Sequence, residues 1–261
     1  MKAWRFIDSG SSSASYNMAL DEAISLAVRD GSAPPTLRIY GWDRQSVSIG
    51  HFQKPETVNL AYCEAHEIPV VRRPTGGRGI LHGDELTYSF TARNEGLFSQ
   101  GLLDTYLLIG SALKRAMEME GIPITMKLER ESGRNLVRSP LCFKSQSFGE
   151  IGIGGRKLVG SAQKRWREGF LQQGSIPYSI DYERLPLVFK EEEPLAPPSS
   201  VDASMIGLRE VSPDFSPEGF KEAIRQAFED CFRISLPDSL ISRQEEESAR
   251  LLLSEKYQPL R

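Results

Sequence analysis

Apolar positions along this chain recur with two periods, and the change from one to the other marks its elements. Tyr16, Ala19, Leu20, Ala23, Ile24, Ala27 and Val28 fall on one helical face just after a Ser-rich turn. Leu103, Leu107, Gly110, Leu113 and Met117 do the same across Leu102–Glu120. Two more helical patterns lie near the end, about Pro217–Phe232 and Ser242–Tyr257, and a short one covers Asn59–Glu67. Strand-like stretches occupy Ala3–Asp8, Thr36–Tyr40 and Ser46–Ile49, and Ile68–Arg73 is a further apolar run. Over Leu86–Ala92 the alternation is strict. Leu86, Tyr88, Phe90 and Ala92 take one face and Thr87, Ser89 and Thr91 the other, which predicts a half-buried strand.

From Phe148 to Pro177 short β-like runs are interrupted by glycines, the pattern of successive hairpins. The Pro/Glu-rich stretch 186–200 reads as a loop ahead of a helical C-terminal segment at about 213–258. Helices and strands follow no regular βα repeat, so the expected class is α+β (mixed α/β) in one domain over residues 1–261.

Composition narrows the functional classes. The net charge of -3 argues against a general nucleic-acid binder, so local basic clusters are features of a site. The three cysteines, Cys63, Cys142 and Cys231, are too few and scattered for a disulfide framework and form no CxxC pair. With only His51, His66 and His82 besides, no zinc or other metal site is expected. A sparse, odd set of thiols suits a reducing compartment. No signal-peptide core opens the chain and no run approaches the ~20 apolar residues of a membrane span. The expectation is a cytoplasmic protein without membrane or nucleic-acid partners.

Three segments carry candidate chemistry. Arg72-Arg73-Pro74-Thr75-Gly76-Gly77-Arg78-Gly79-Ile80-Leu81-His82 combines glycines that turn N–H groups toward a ligand with arginines that offer forked donors to carboxylate or phosphate. A glycine turn with solvated arginines is the plainer reading. It gives no reason for so many cations, with His82, at the mouth of a buried strand. Gly154–Arg165 superficially resembles a phosphate loop, but no Lys-Ser/Thr follows its glycines, so the P-loop assignment fails. What remains is a hairpin presenting Lys157, by itself a surface lysine, followed by Gly160-Ser161-Ala162. Cys142 is by default a small buried hydrophobe. As a nucleophile it needs a nearby cation, and Lys157, fifteen residues on, is in place to supply one.

Taken together, YNMALDEAI, PPTLRIYGW, RRPTGGRGILHGDELTYSF, the CF at 142–143 and GRKLVGSAQKRWREGFLQQGSI resemble the biotin/lipoate protein ligase and octanoyltransferase superfamily over nearly the whole chain. The likeness is nearest to the octanoyltransferases of the type found in Gram-positive bacteria. It implies a class II synthetase/biotin ligase-like fold, a central mixed, largely antiparallel sheet flanked by helices. It implies that Cys142 takes octanoate from octanoyl-acyl carrier protein as a thioester, with Lys157 beside it lowering the thiol pKa. It places Arg73, Gly76, Gly77 and His82 on one wall of the acyl pocket and Gly160, Ser161 and Ala162 on the other. Thr75 and Arg78 belong to the same substrate-binding segment. Backbone donors near Gly76–Arg78 or Gly160–Ala162 are candidates for an oxyanion site.

The acceptor implied is a lysine of a lipoyl domain, from the glycine-cleavage H protein or a dehydrogenase E2, and no cofactor is required. The runner-up is an ATP-dependent lipoate–protein ligase working through lipoyl-adenylate, which shares the same segments and needs Mg-ATP. Gly76-Gly77-Arg78 in place of a longer glycine run, the chain length and the presence of Cys142 favour the transferase. A non-catalytic binding protein is the third reading. Its signature, loss of the cysteine or the lysine, is missing. A monomer is the simpler expectation.

Overall fold

The computed structural model describes residues 2–126, 149–190 and 204–260. In chain order its elements begin β1 (Lys2–Ala3), β2 (Arg5–Ser12), α1 (Ala14–Asp30), β3 (Thr36–Trp42), β4 (Ser46–Ile49) and α2 (Leu60–Ala65). Next come β5 (Val70–Arg72), β6 (Ile80–His82), β7 (Glu85–Arg93), α3 (Leu102–Met119) and β8 (Thr125–Met126). After residue 148 follow β9 (Ile151–Ile153), β10 (Arg156–Lys157), β11 (Gly160–Arg165) and β12 (Gly169–Pro177). The last are α4 (Leu185–Val188), α5 (Leu208–Val211), α6 (Pro217–Phe232), β13 (Ile234–Ser235) and α7 (Arg243–Glu255).

The main sheet has the order β11-β12-β7-β3-β2. Its pairs are antiparallel except β2 with β3, so it is mixed and largely antiparallel as expected. A smaller sheet, β5-β4-β6, carries the glycine-rich loop between β5 and β6. Helix α1 starts where the Ser13 side chain accepts from Tyr16 N and stops at Gly31, whose φ of 86° suits a residue without Cβ.

The two faces of the main sheet are covered differently. Helices α3 and α6 close one face over an aromatic cluster. There Trp4 lies 5.1 Å from Phe232, Phe98 lies 5.3 Å from Phe170, and Phe90 packs among them. Each such ring stabilises the fold by roughly 1.5–3 kcal/mol relative to exposure. The other face is covered by α1, itself backed by α7.

Under α1 the expectation for Leu86–Ala92 needs correction. Strand β7 is buried on both faces, including Thr87, Ser89 and Thr91. These polar side chains are tolerated because they find partners on α1 and on the neighbouring strand. Ser89 Oγ donates to Asp21 of α1 at 2.6 Å, and Thr91 Oγ1 donates to the Phe170 carbonyl of β12 at 2.8 Å and lies 3.3 Å from Ser25 Oγ of α1. A second correction falls within the Pro/Glu-rich stretch. Leu185–Val188 forms a helical turn with Pro186 at its start, where a missing N–H leaves no bond unmade. Most of the remainder of that stretch lies outside the described residues.

Candidate active site

Strand β5 delivers Arg73 into the interior, where the glycine loop curls around its guanidinium. Nε and Nη2 donate to the Gly76 carbonyl at 3.1 and 2.7 Å, and Nη2 also donates to the Arg78 carbonyl at 2.8 Å. Nη1 reaches the Ser48 carbonyl at 3.1 Å and Ser48 Oγ at 3.2 Å. Arg72 works alike, its Nη1 donating to the carbonyls of Gly50, His51 and Gln53. The expected forks toward a ligand are thus, at Arg72 and Arg73, braces on backbone. Gly77 is the apex, with φ of 88°, and a Cβ there would sit 2.7 Å from Arg73 Nη2.

His82, at the end of β6, is fixed at both ring nitrogens. Nδ1 lies 2.9 Å from Glu85 Oε1 and Nε2 lies 2.7 Å from Ser48 Oγ. Its ring stacks on Trp42 with centroids 3.8 Å apart. Burial opposes the charge on Glu85, yet the charge and hydrogen bond of His82, with the Thr87 and Ser175 hydroxyls, hold its carboxyl below the ordinary value. An ionised Glu85 holds a proton on Nδ1, and Nε2 faces the Ser48 hydroxyl. A polar line therefore runs from Glu85 through His82 and Ser48 to Arg73.

A second polar line positions Thr75. Asp21 on α1 accepts from Arg38 Nη1 at 2.7 Å, Tyr40 OH at 2.8 Å and Gln173 Nε2 at 2.6 Å. Gln173 Oε1 in turn accepts from Thr75 Oγ1 at 2.8 Å. The Arg38 and Asp21 side chains are both 0% exposed. Arg38 Nη2 also donates to Asn17 Oδ1 at 2.7 Å. Burial first, and then the Asp21 charge, push the Tyr40 phenol well above its usual value. The segments YNMALDEAI and TLRIYGW are one ion-paired brace behind the loop.

Between the glycine loop and strand β11 lies a cleft lined by Arg73, His82, Gly160, Ser161 and Ala162 from the expected set. Met18, Trp42, Ile80 and Gly174 complete its apolar surface. Thr75, Gly76, Gly77 and Arg78 shape the loop beside it. Gly174 is required here, since a Cβ would lie 2.3 Å from Tyr88 Cε1. The Tyr88 hydroxyl bonds Ser161 Oγ at 2.8 Å, and burial pushes its pKa up to about 12. The free volume is only about 20 Å³, enough for one water. Past Trp42 and His82 opens a larger cavity of about 460 Å³, bordered by Gln45, Asp181 and Met205.

Lys157 is not a surface lysine. Its side chain is 1% exposed, and Nζ donates to Glu150 Oε1 at 2.6 Å. The hairpin is tied down by Lys157 N to the Ser204 carbonyl at 2.8 Å and by Ile206 N to the Lys157 carbonyl at 3.1 Å. Gly160, three residues on, enters the cleft wall, while Met205, bridged to Lys157, borders the larger cavity. Lys157 itself lines neither space. Cys142 lies outside the described residues. Among the described residues no cluster of three His, Cys, Asp or Glu side chains is arranged to hold a metal ion.

The family model of the lipoyl protein ligase A/B catalytic domain matches residues 13–229. The chain belongs to this family. Relatives support its membership from end to end. Octanoyltransferase LipM of Halalkalibacterium halodurans is 35% identical over 270 residues, covering 99% of this chain and 97% of that protein. Octanoyltransferase LipM of Carboxydothermus hydrogenoformans is 37% identical, covering 98% and 97%. Among solved structures, a lipoate-protein ligase A bound with ATP superposes with a TM-score of 0.80 at 23% identity, covering 98% and 96%. A putative lipoate protein ligase from T. acidophilum with bound lipoic acid gives 0.81 at 22%, with the same coverage. At these identities the structures establish the lipoyl ligase fold.

Within this lipoyl ligase A/B architecture, sequence reasoning missed Ser48, Glu85, Gln173 and Glu150. Glu85 had a signal, following His82 at a spacing of three; Ser48 had none, since its approach to His82 comes from the β4–β6 pairing. Gln173 and Glu150 had none, because Asp21 reaches Gln173 only when α1 packs on the sheet and Lys157 reaches Glu150 only when β10 pairs with β9.

Proposed function

We infer that this lipoyl ligase A/B family chain is an octanoyltransferase of protein lipoylation and propose how its residues carry the transfer. It is an acyltransferase. The observation that carries this reading is the run of octanoyltransferase relatives at 33–41% identity, several of them matched over nearly the full length. The acceptor is a lipoyl domain. For the donor we take octanoyl-acyl carrier protein, and for the location the cytoplasm.

In the first step the Cys142 thiolate attacks the donor thioester carbonyl, the carrier thiol leaves, and an octanoyl-Cys142 thioester remains. In the second, the uncharged ε-amine of the acceptor lysine attacks that carbonyl. The amide forms, Cys142 departs as thiolate, and the amine proton passes to a base. The first exchange is nearly balanced in energy and the second is downhill, so no ATP is needed. Lys157 is the cation that favours the Cys142 thiolate. Burying an ammonium with a carboxylate adds little to stability as a rule, so the Lys157–Glu150 pair fits a chemical role better than a structural one. Losing its proton to Glu150 or solvent, Lys157 can next assist deprotonation of the incoming amine. The apolar cleft beside Gly160 takes the alkyl chain, while Arg73 and His82 keep its wall in shape.

Intact-mass spectrometry of wild type and Cys142→Ser with octanoyl-acyl carrier protein, without ATP, tests this reading. One octanoyl adduct on wild type only, chased onto an added lipoyl domain, is expected. Lipoylation that appears only with free octanoate or lipoate and Mg-ATP would replace the transferase by a ligase.

A further inference from the structure

Phe52 is 89% exposed beside the cleft, and nothing in the fold uses its ring as core. Such a side chain on a pliable loop would mean little. This loop, however, is held firmly. Arg72 Nη1 donates to the carbonyls of Gly50, His51 and Gln53 at 2.9, 2.9 and 2.7 Å, the three residues that surround Phe52. His51 N donates to the Thr75 carbonyl at 2.9 Å, and the His51 ring meets Phe52 edge to face at 4.7 Å. Gly50 packs so closely on the glycine loop that a Cβ there would lie 1.9 Å from the Gly77 carbonyl oxygen. Gly77 in turn faces Ala162 in the cleft wall. The hydrogen bonds that shape the acyl site therefore also display an apolar ring at its rim.

The rim is also positive. Besides burial, the charges of Lys164, Lys256 and Arg72 act to hold the His51 imidazole below its ordinary value. That of Lys256 is offset by its partner Glu22, leaving Lys164 and Arg72 as the net cations. Lys54, two residues beyond Phe52, is exposed. Of the acids nearby, Glu22 is engaged by Lys256 at 2.7 Å and by the Tyr257 hydroxyl, which leaves Glu56 as the exposed carboxylate of this stretch. A fixed aromatic within a cationic rim matches a partner that offers an apolar contact amid acidic side chains.

We propose that Phe52, with Lys54, Arg72 and Lys164 around it, is the docking surface for the acidic carrier domain that delivers the acyl thioester. The proposal rests on the transferase reading above and specifies which of its two protein substrates uses this rim. The donor fits because its arm is joined through a phosphodiester, an anion that cations attract. The acceptor must bring a lysine ammonium, which the same cations repel. A donor held here has its arm within reach of the cleft behind Gly77.

Steady-state kinetics with two donors separates docking from chemistry. With octanoyl-carrier protein, Phe52→Ser is expected to raise KM about tenfold with kcat kept, while KM for octanoyl-pantetheine and for the lipoyl-domain acceptor changes by less than about twofold. Lys54→Glu is expected to raise the same KM and to weaken its dependence on KCl. Because Phe52 and Lys54 are exposed, both variants should keep the wild-type melting temperature, which a thermal scan checks. Equal rises for both donors, a rise for the acceptor alone, or no rise would each overturn the proposal. Failure of wild type itself to use either donor without ATP would bring down the transferase reading first, before any variant is compared.

Discussion

The two faces of the main sheet solve the same burial problem with opposite chemistry. Under α3 and α6, Trp4, Phe90, Phe98, Phe170, Phe228 and Phe232 interlock without polar atoms other than one indole N–H. Under α1, Asp21, Arg38, Tyr40, Ser89 and Gln173 are buried just as deeply and joined by directed hydrogen bonds. The apolar face is non-directional and tolerates sliding. The polar face has a single arrangement, because each unmatched group would be left without a partner in a dry interior. That face ends at Thr75, in the glycine loop. The contrast assigns stability mainly to one side of the sheet and placement of the site to the other.

Removing an aromatic from the apolar side gives the largest effect on stability. Phe90→Ala is expected to lower the unfolding free energy by about 3–5 kcal/mol in urea titration, with turnover per folded molecule unchanged. Asp21→Asn leaves Arg38 buried without its counter-charge, a loss of about 3 kcal/mol, the lower end for a broken buried pair. Unlike the first variant it should also lose transfer activity, since Gln173 and Thr75 lose their anchor. Equal activity in these two variants at matched folding would erase the division of labour. Gln173→Ala sharpens it: about 1–3 kcal/mol in stability for unpaired buried groups, together with a raised KM for the donor in steady-state assay.

The smallest effect concerns pH. The Glu85 carboxyl is held below its ordinary value of 4.5, so its contribution is complete above that value and is lost as pH falls through the lower folded one. Denaturant midpoints taken from pH 6 down to 3 should therefore fall less steeply in Glu85→Gln than in wild type.

Much of this plan can be read from residue patterns. The helices from Ala14, Leu102, Pro217 and Arg243 follow their apolar periods, and RRPTGG and GRKLVGSAQ do meet across one cleft. What escaped reading is the polar side. Thr87, Ser89 and Thr91 look solvent-facing because alternation reports polarity and not exposure. Their partner Asp21 is 68 residues from Ser89. Lys157 looks like a hairpin tip for a similar reason, since Glu150 becomes its neighbour only once β9 and β10 pair. Single-residue polarity carries no record of the partner that makes it buriable.

The pairing of β1 with β13 bears on how the chain is made. Lys2 and Ala3 lie parallel to Ile234 and Ser235, Trp4 stacks on Phe232, and Arg5 reaches Glu245. On a ribosome adding about 5–20 residues per second, the leading strand emerges roughly ten to fifty seconds before these partners exist. Throughout that interval Trp4 and Phe6 have no C-terminal cover. The pairing of β1 with β13 and the packing around Trp4 therefore close only after residues 232–245 have been made.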